Sequence, residues 1–448
     1  MWSWVSFLLG SAVIVTAPAV LPVRELASPI APTLAPGMPE SRVCVNQHPF
    51  AAETSPWSVP PEPPVRVVAP LRIPEDAVPA PDNHSLFIVP NEFGIARLVE
   101  RVRAIQGGAF VGPGTLGSLM LLGAQDRDRG ILLDYDPRVV KANQGILDLI
   151  NEISEAPDPG RSAELQRLRF LCGLFIAEVS EARLERIADL PGGPRTRVAA
   201  LLDLLEDAPI ADAPGGPLKV LAEAYDGALL AVVGASPEFL TTIETWARLA
   251  SQGATGTSGT DPAQVPVPRR GETAQSLLVR TKRNLAVGGI RAMWAHYFRS
   301  LAATEAQLDH LFPFSDSAWR RLSVMAGEGR IQVALGDFTR TGGALEGLAR
   351  ELREAGVAMS VFYGSNAIQH FAHAPGALDA FVRNIEAFGW ARDAGSVVLL
   401  AGTPGATDPI EASAVDRLDD GRDVWSYHAF APEALGRTLR PAREGCPL

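Results

Sequence analysis

Two apolar runs joined by a glycine turn and a short helix limit this chain to few architectures. Residues 109–137 read AFVGPGTLGSLMLLGAQDRDRGILLDYDP. AFVG predicts a buried strand, GPG a tight turn, TLGSLMLLG a short helix, and GILLD a second buried strand that ends in acids. A strand, a helical crossover and a parallel strand place both carboxyl ends on one edge of a sheet, where open α/β sheets bind ligands. Gly112 and Gly114 fall at the end of the first strand, Asp134 and Asp136 at the end of the second. Glycine lets a ligand approach the backbone, and an acid at the second strand end can accept hydrogen bonds from a ribose. Read more plainly, the glycines permit a turn and the aspartates cap the next helix.

The pattern resumes late in the chain. RIQVAL (330–335) predicts a strand ending at Gly336-Asp337-Phe338, and AMSVFY (358–363) one ending at Gly364-Ser365-Asn366. SVVLL (396–400) predicts a third, and a closing strand is expected near Trp425 to Phe430. Helical spacing separates them at 343–355 and 378–388, and also marks 92–105 and 138–153. Strands alternating with helices predict an α/β fold with a doubly wound, mostly parallel, Rossmann-like sheet. SLFIV (85–89) reads as a further strand or an entry segment. Between the two strand groups, residues 154–328 are helical by pattern, at 163–188, 195–205, 218–230, 237–250 and 274–303. The segment SQGATGTSGTDPAQVPVP among them reads as a surface loop. The resulting organisation is a Rossmann-like domain formed by 83–153 and 329–448, interrupted by a helical insertion at 154–328.

The N-terminus differs. WVSFLLGSAVIV (4–15) is an uncharged run of signal-peptide length followed by Ala17-Pro18-Ala19, although no Lys or Arg precedes it. Residues 1–19 are therefore expected to be a signal peptide or an anchor, and the protein to be exported to the periplasm or beyond; a cytoplasmic location is the alternative. Residues 20–82, with PPEPP and PAP, read as an extended spacer or a surface wrap. Contact with a membrane is expected only through that N-terminal segment.

A net charge of −11 argues against a nucleic-acid binder, whose phosphate contacts need a basic face. Of the three cysteines, Cys172 lies in a helical apolar run and reads as core, while Cys44 and Cys446 are peripheral and either pair or stay free. His370 and His373 share a helical spacing but lack an evident third ligand, so no metal is expected. The aromatic cluster MWAHYFR, with Trp294, His296, Tyr297 and Arg299, reads as core before cleft. GxxxxGK[ST], GxSxG and HExxH are all absent.

Together FIVPNE, FVGPGTLG, LLDYDP, VALGDF, VFYGSN and NIEAF…SVVLL resemble class I S-adenosylmethionine-dependent methyltransferases. They are closer still to a family of uncharacterised, often exported bacterial proteins of that fold. The resemblance covers 83–151 and 329–400. It implies S-adenosylmethionine as cofactor, with Gly112 and Gly114 along its methionine and ribose, and Asp134 or Asp136 on the ribose hydroxyls. It also implies Asp337 at the adenine amino group and Phe338 against the ring. Asn366, with Ser365 and Tyr363, would face the reacting end, Asn366 or Tyr363 orienting the nucleophile of a small-molecule or peptide acceptor. This chain departs from the pattern at Ala109 and Phe110, where an acid is usual, at Pro113 between the glycines, and at Gly117 and Ser118 in place of amides. These departures suit the alternative, an exported binding or structural protein that keeps the scaffold without the chemistry.

Overall fold

A computed structural model describes residues 68–76, 88–90, 94–155, 163–211, 214–233, 273–305, 308–368, 374–391, 395–402, 416–417 and 426–439. They belong to one compact unit, Arg66–Leu448. The N-terminal apolar run, Cys44, Cys446, the helix expected at 237–250, the Gly/Ser/Thr/Pro loop, His370 and His373 lie outside the described residues.

The elements run α1 (Ile95–Arg103), β1 (Ala109–Gly112), α2 (Leu116–Leu122), β2 (Arg129–Asp134) and α3 (Pro137–Glu155). Helices α4 (Ala163–Leu174), α5 (Glu181–Ala188), α6 (Pro194–Asp207), α7 (Gly216–Val233), α8 (Ala274–Thr304) and α9 (Asp316–Gly327) follow. Then come β3 (Ile331–Leu335), α10 (Ala344–Glu354), β4 (Met359–Tyr363), α11 (Ala377–Glu386), β5 (Val397–Gly402), β6 (Asp416–Arg417), β7 (Ser426–Phe430) and α12 (Pro432–Leu439). The fold is α/β, with one sheet in the order β3-β2-β1-β4-β5-β7-β6. β1 to β5 pair in parallel, while β7 runs antiparallel to β5 and β6. Strand order reverses between β1 and β4.

Every residue of β1, β2 and β4 is buried, as expected of parallel strands covered on both faces. Alternate side chains therefore enter two separate cores. Phe110, Leu132, Val361 and Tyr363 join the cluster of α1 to α9. Val111, Ile131, Leu133 and Phe362 join that of α10 to α12. A register shift between β1 and β4 changes the phase of β4: Ala109 pairs with Met359, but Phe110 with Val361. The extra residue, Ser360, is fully buried, and its hydroxyl donates to the Gly107 and Ala109 carbonyls at 2.9 and 3.0 Å. The bulge decides which face receives Tyr363.

Of the two readings of 85–89, the turn at Ile88 and Val89 suits the entry segment, while 85–87 lie outside the described residues. One expectation changes. The helix expected at 163–188 is two helices, because Ile176 takes a φ of +48° after α4 and Ala177 bridges to Ile210. Arg291 of α8 secures this break by donating to the carbonyls of Phe175, Ile176, Ala208 and Pro209. Among the described residues, no helix is long and apolar enough to cross a membrane.

Candidate functional site

The carboxyl ends of β1, β2, β3 and β4 open onto one pocket, with about 840 Å³ of empty space including its mouth. Gly114, Asp134, Asp337, Phe338, Tyr363, Ser365 and Asn366 all line it. It lies where the strand order reverses, between β1 and β4, the place where open α/β sheets bind ligands.

The glycine turn is clamped from both sides. Gly114 has φ +71°, a left-handed conformation suited to glycine, and a Cβ there would meet nothing within 4 Å. Its N–H donates to Asp134 Oδ2 at 2.9 Å, and its carbonyl accepts from the buried Asn143 Nδ2 at 2.8 Å. Asp134 Oδ1 accepts the Asp136 N–H at 2.9 Å. Burial raises the Asp134 carboxyl to about 6, against the lowering effect of the backbone N–H groups of Asp136 and Gly114.

Gly112 and Asp136 stand outside the lining, and each has a structural task. A Cβ on Gly112 would come within 2.5 Å of Ser118 Oγ and 2.9 Å of the Phe110 ring, so this glycine admits α2 against β1. Asp136 caps α3 by accepting the Arg138 N–H at 2.8 Å and pairs with the Arg138 guanidinium at 2.7 Å. The ligand reading of these acids therefore narrows to Asp134.

On the β3 side, Asp337 Oδ1 accepts from the Thr339 N–H and hydroxyl at 2.8 and 2.7 Å. The Phe338 ring packs edge-on against Phe362 at 5.3 Å. Asn384, fully buried on α11, donates to the Phe338 and Arg340 carbonyls at 2.8 and 3.1 Å. The β3–α10 loop is thus held in place from below.

On the β4 side, Ser365 adopts φ +51°, a strained conformation for a side-chain-bearing residue. Its carbonyl accepts the Ala401 N–H at 2.8 Å. The turn brings Asn366, which is 7% exposed, to the rim beside Tyr363, which is 3% exposed. Pro90, Ile95, Thr115, Gly117, Leu133, Tyr135, Gly336 and Ala367 complete the wall with Pro113. Tyr135 was not singled out by its sequence, although an aromatic next to a strand-end acid is a usable signal; it is half-exposed at the mouth.

Among the described residues, the wall carries two carboxylates and no Lys, Arg or His. Phosphate recognition uses backbone N–H groups and basic side chains. Here Pro113 has no N–H, and that of Gly114 is already donated to Asp134.

Trp294 and Tyr297 are core residues, the indole donating to Tyr225 Oη at 3.1 Å. A second cleft among α4, α6 and α9 contains Arg167, Arg197 and Arg320. There Glu164 pairs with Arg167 and Arg197, and Asp316 with Arg167, an arrangement that ties the helices together. Cys172 is a buried free thiol whose pKa burial raises to about 12. Among the described residues, no cluster of His, Cys, Asp and Glu could hold a metal.

A family model described as "Domain of unknown function (DUF7790)" matches residues 263–427. The span includes the strand ends that carry Asp337, Tyr363, Ser365 and Asn366, but not the glycine turn or Asp134. No curated protein matches the chain.

Proposed function

We propose that the pocket binds S-adenosylmethionine on a Rossmann-like, doubly wound sheet, and that the protein is methyltransferase-like with helices α4 to α9 as an insertion. The observation that carries this reading is the buried carboxylate of Asp134 at the β1/β4 reversal, in a wall whose described residues include none that is basic. Such a wall suits a ribose and a cationic sulfur, and disfavours dinucleotides and nucleoside triphosphates. Bound there, S-adenosylmethionine supplies a methyl group on a positively charged sulfur. Asp134 would accept the ribose hydroxyls, and Asp337 and Phe338 would meet the base. The open space at Gly114 would admit the chain between ribose and sulfur. Tyr363, Ser365 and Asn366 would orient the acceptor, so that rate comes from proximity and alignment. Among the described residues, the lining offers no histidine or lysine as a general base, which fits an acceptor that is already nucleophilic. The same absence favours a second reading, a binding protein that holds such a nucleoside without turnover. Export and an N-terminal anchor remain part of the proposal through the apolar run at 4–15.

The Asp134 carboxyl supplies the test. Its pKa is raised from 3.8 to about 6 on folding, so the folded chain holds this proton more tightly than the unfolded chain. Its contribution to stability is therefore greatest below the unfolded value and falls as pH rises through the folded one. Ligand binding runs the other way, because ribose hydroxyl donors favour the ionised form. The affinity for S-adenosylhomocysteine, measured by calorimetry from about pH 5 to about pH 8, is expected to level off above about pH 6 and to weaken by up to about tenfold per unit below it. An affinity flat across that range would remove Asp134 from the ligand site.

A further inference from the structure

The pocket's β3 wall depends on a residue from the proline-rich arm. Residues 68–76 run along the β3 edge: the Val68 N–H donates to the Glu328 carbonyl at 3.0 Å, and the Asp76 N–H to the Leu335 carbonyl at 3.2 Å. Between them, the Leu71 N–H and carbonyl exchange hydrogen bonds with the Gln332 amide at 2.9 and 3.2 Å. Arg129 donates to the Ala69 carbonyl at 2.8 Å. The last described residue of this stretch, Asp76, is 5% exposed.

Asp76 Oδ2 accepts the Asp337 N–H at 2.9 Å, although the two residues stand 261 positions apart. Both carboxylate oxygens lie 3.2 Å from the Ala344 N–H at the start of α10. Arg340 pairs with the same carboxylate at 3.4 Å. The N-cap of α10 is Gly343, which has no capping side chain of its own, so Asp76 caps the helix from outside it. Two glycines make room for this. A Cβ on Gly343 would fall 2.5 Å from Asp76 Oδ1, and one on Gly347 would fall 2.3 Å from Pro74. Glycine inside a helix disfavours it; at Gly347 the docked arm accounts for its presence.

We infer that Asp76 is a positioning residue for the pocket: docking of the arm fixes the Asp337–Phe338 loop in its ligand-competent form, so that ligand affinity depends on the arm being seated. The inference rests on the proposed ligand only for its affinity readout, since the loop's order can be read without any ligand.

The experiment compares the full chain with Asp76→Ala, Gly347→Ala and a control, Leu378→Ala, which weakens the same core from α11 and removes none of the arm's hydrogen bonds to β3 and α10. Hydrogen exchange at the Asp337 and Ala344 amides is expected to rise about tenfold or more in the first two variants beyond the rise in the control, with the Gly364 and Ala367 amides unchanged. The affinity of Asp76→Ala for S-adenosylhomocysteine should fall about tenfold. Exchange that rises no more than in the control would overturn the inference, as would the unsubstituted chain and Asp76→Ala binding the ligand equally well. A wild-type chain that ignores S-adenosylhomocysteine while the exchange difference appears would refute the proposed ligand and leave the positioning role supported.

Discussion

Asp134→Ala is expected to weaken S-adenosylhomocysteine binding by about 100-fold or more while the chain remains folded. Hydrogen bonds to a charged group contribute about 1.5–3 kcal/mol each, and a carboxylate facing a ribose accepts two. About 2.7 kcal/mol corresponds to two decades of affinity. The substitution also removes the acceptor of the Gly114 and Asp136 N–H groups, so the glycine turn should loosen along with the loss of ligand contact. On the other hand, a buried carboxylate that titrates at about 6 costs stability at neutral pH, and that cost disappears in alanine. The two effects on stability oppose each other; those on affinity add. Calorimetry with a thermal melt of the same sample separates them. Affinity within threefold of wild type would mean that Asp134 only organises the turn.

The largest loss of stability is expected far from the pocket, in Arg291→Met. The Arg291 guanidinium meets four backbone carbonyls from the turns after α4 and α6, and burial lowers its pKa to about 10. These turns have no ladder of their own beyond the bridge between Ala177 and Ile210, and Ile176 is held at positive φ. Methionine fills a similar volume but takes the guanidinium donor from the Phe175 and Ala208 carbonyls, while those of Ile176 and Pro209 keep the Ala211 and Glu178 N–H groups at 3.0 Å, so about 2–4 kcal/mol of unfolding free energy should be lost. Lysine should restore little, because a single ammonium cannot reproduce the planar fork. Chemical denaturation followed by circular dichroism measures both variants. A midpoint unchanged in Arg291→Met would show that solvent satisfies these carbonyls.

The five parallel strands were legible because each is a short apolar run bounded by glycine or acid, and the pocket because four such runs end in chemically distinctive residues; the two-residue β6, Asp416–Arg417, carries no such pattern. Gly114, Asp134, Asp337, Tyr363, Ser365 and Asn366 come together as those endings implied. Gly112 stands outside the lining, and the need for glycine there comes from Ser118 and Phe110, which approach it only in the folded chain. Asp136 follows the plainer reading as a helix cap, and its ion pair with Arg138, two residues away, looks like ordinary helix sequence. The bulge at Ser360 leaves no trace in an unbroken apolar run. The left-handed Ile176 is hidden because β-branched residues rarely take that conformation. Asp76 was the least visible: its segment reads as a spacer by composition, and its partners lie more than half a chain away. Local pattern reports which strand ends are special, whereas the contacts that hold those ends in place are long-range and follow only from packing.

The most direct test of the central claim is a calorimetric titration of the full chain at neutral pH with S-adenosylhomocysteine, run beside NADH and ATP. A phosphate-free pocket organised by Asp134 predicts saturable one-to-one binding of S-adenosylhomocysteine and no heat from the two phosphate-bearing ligands. Saturable binding of NADH or ATP in its place, or silence with all three, would contradict the account.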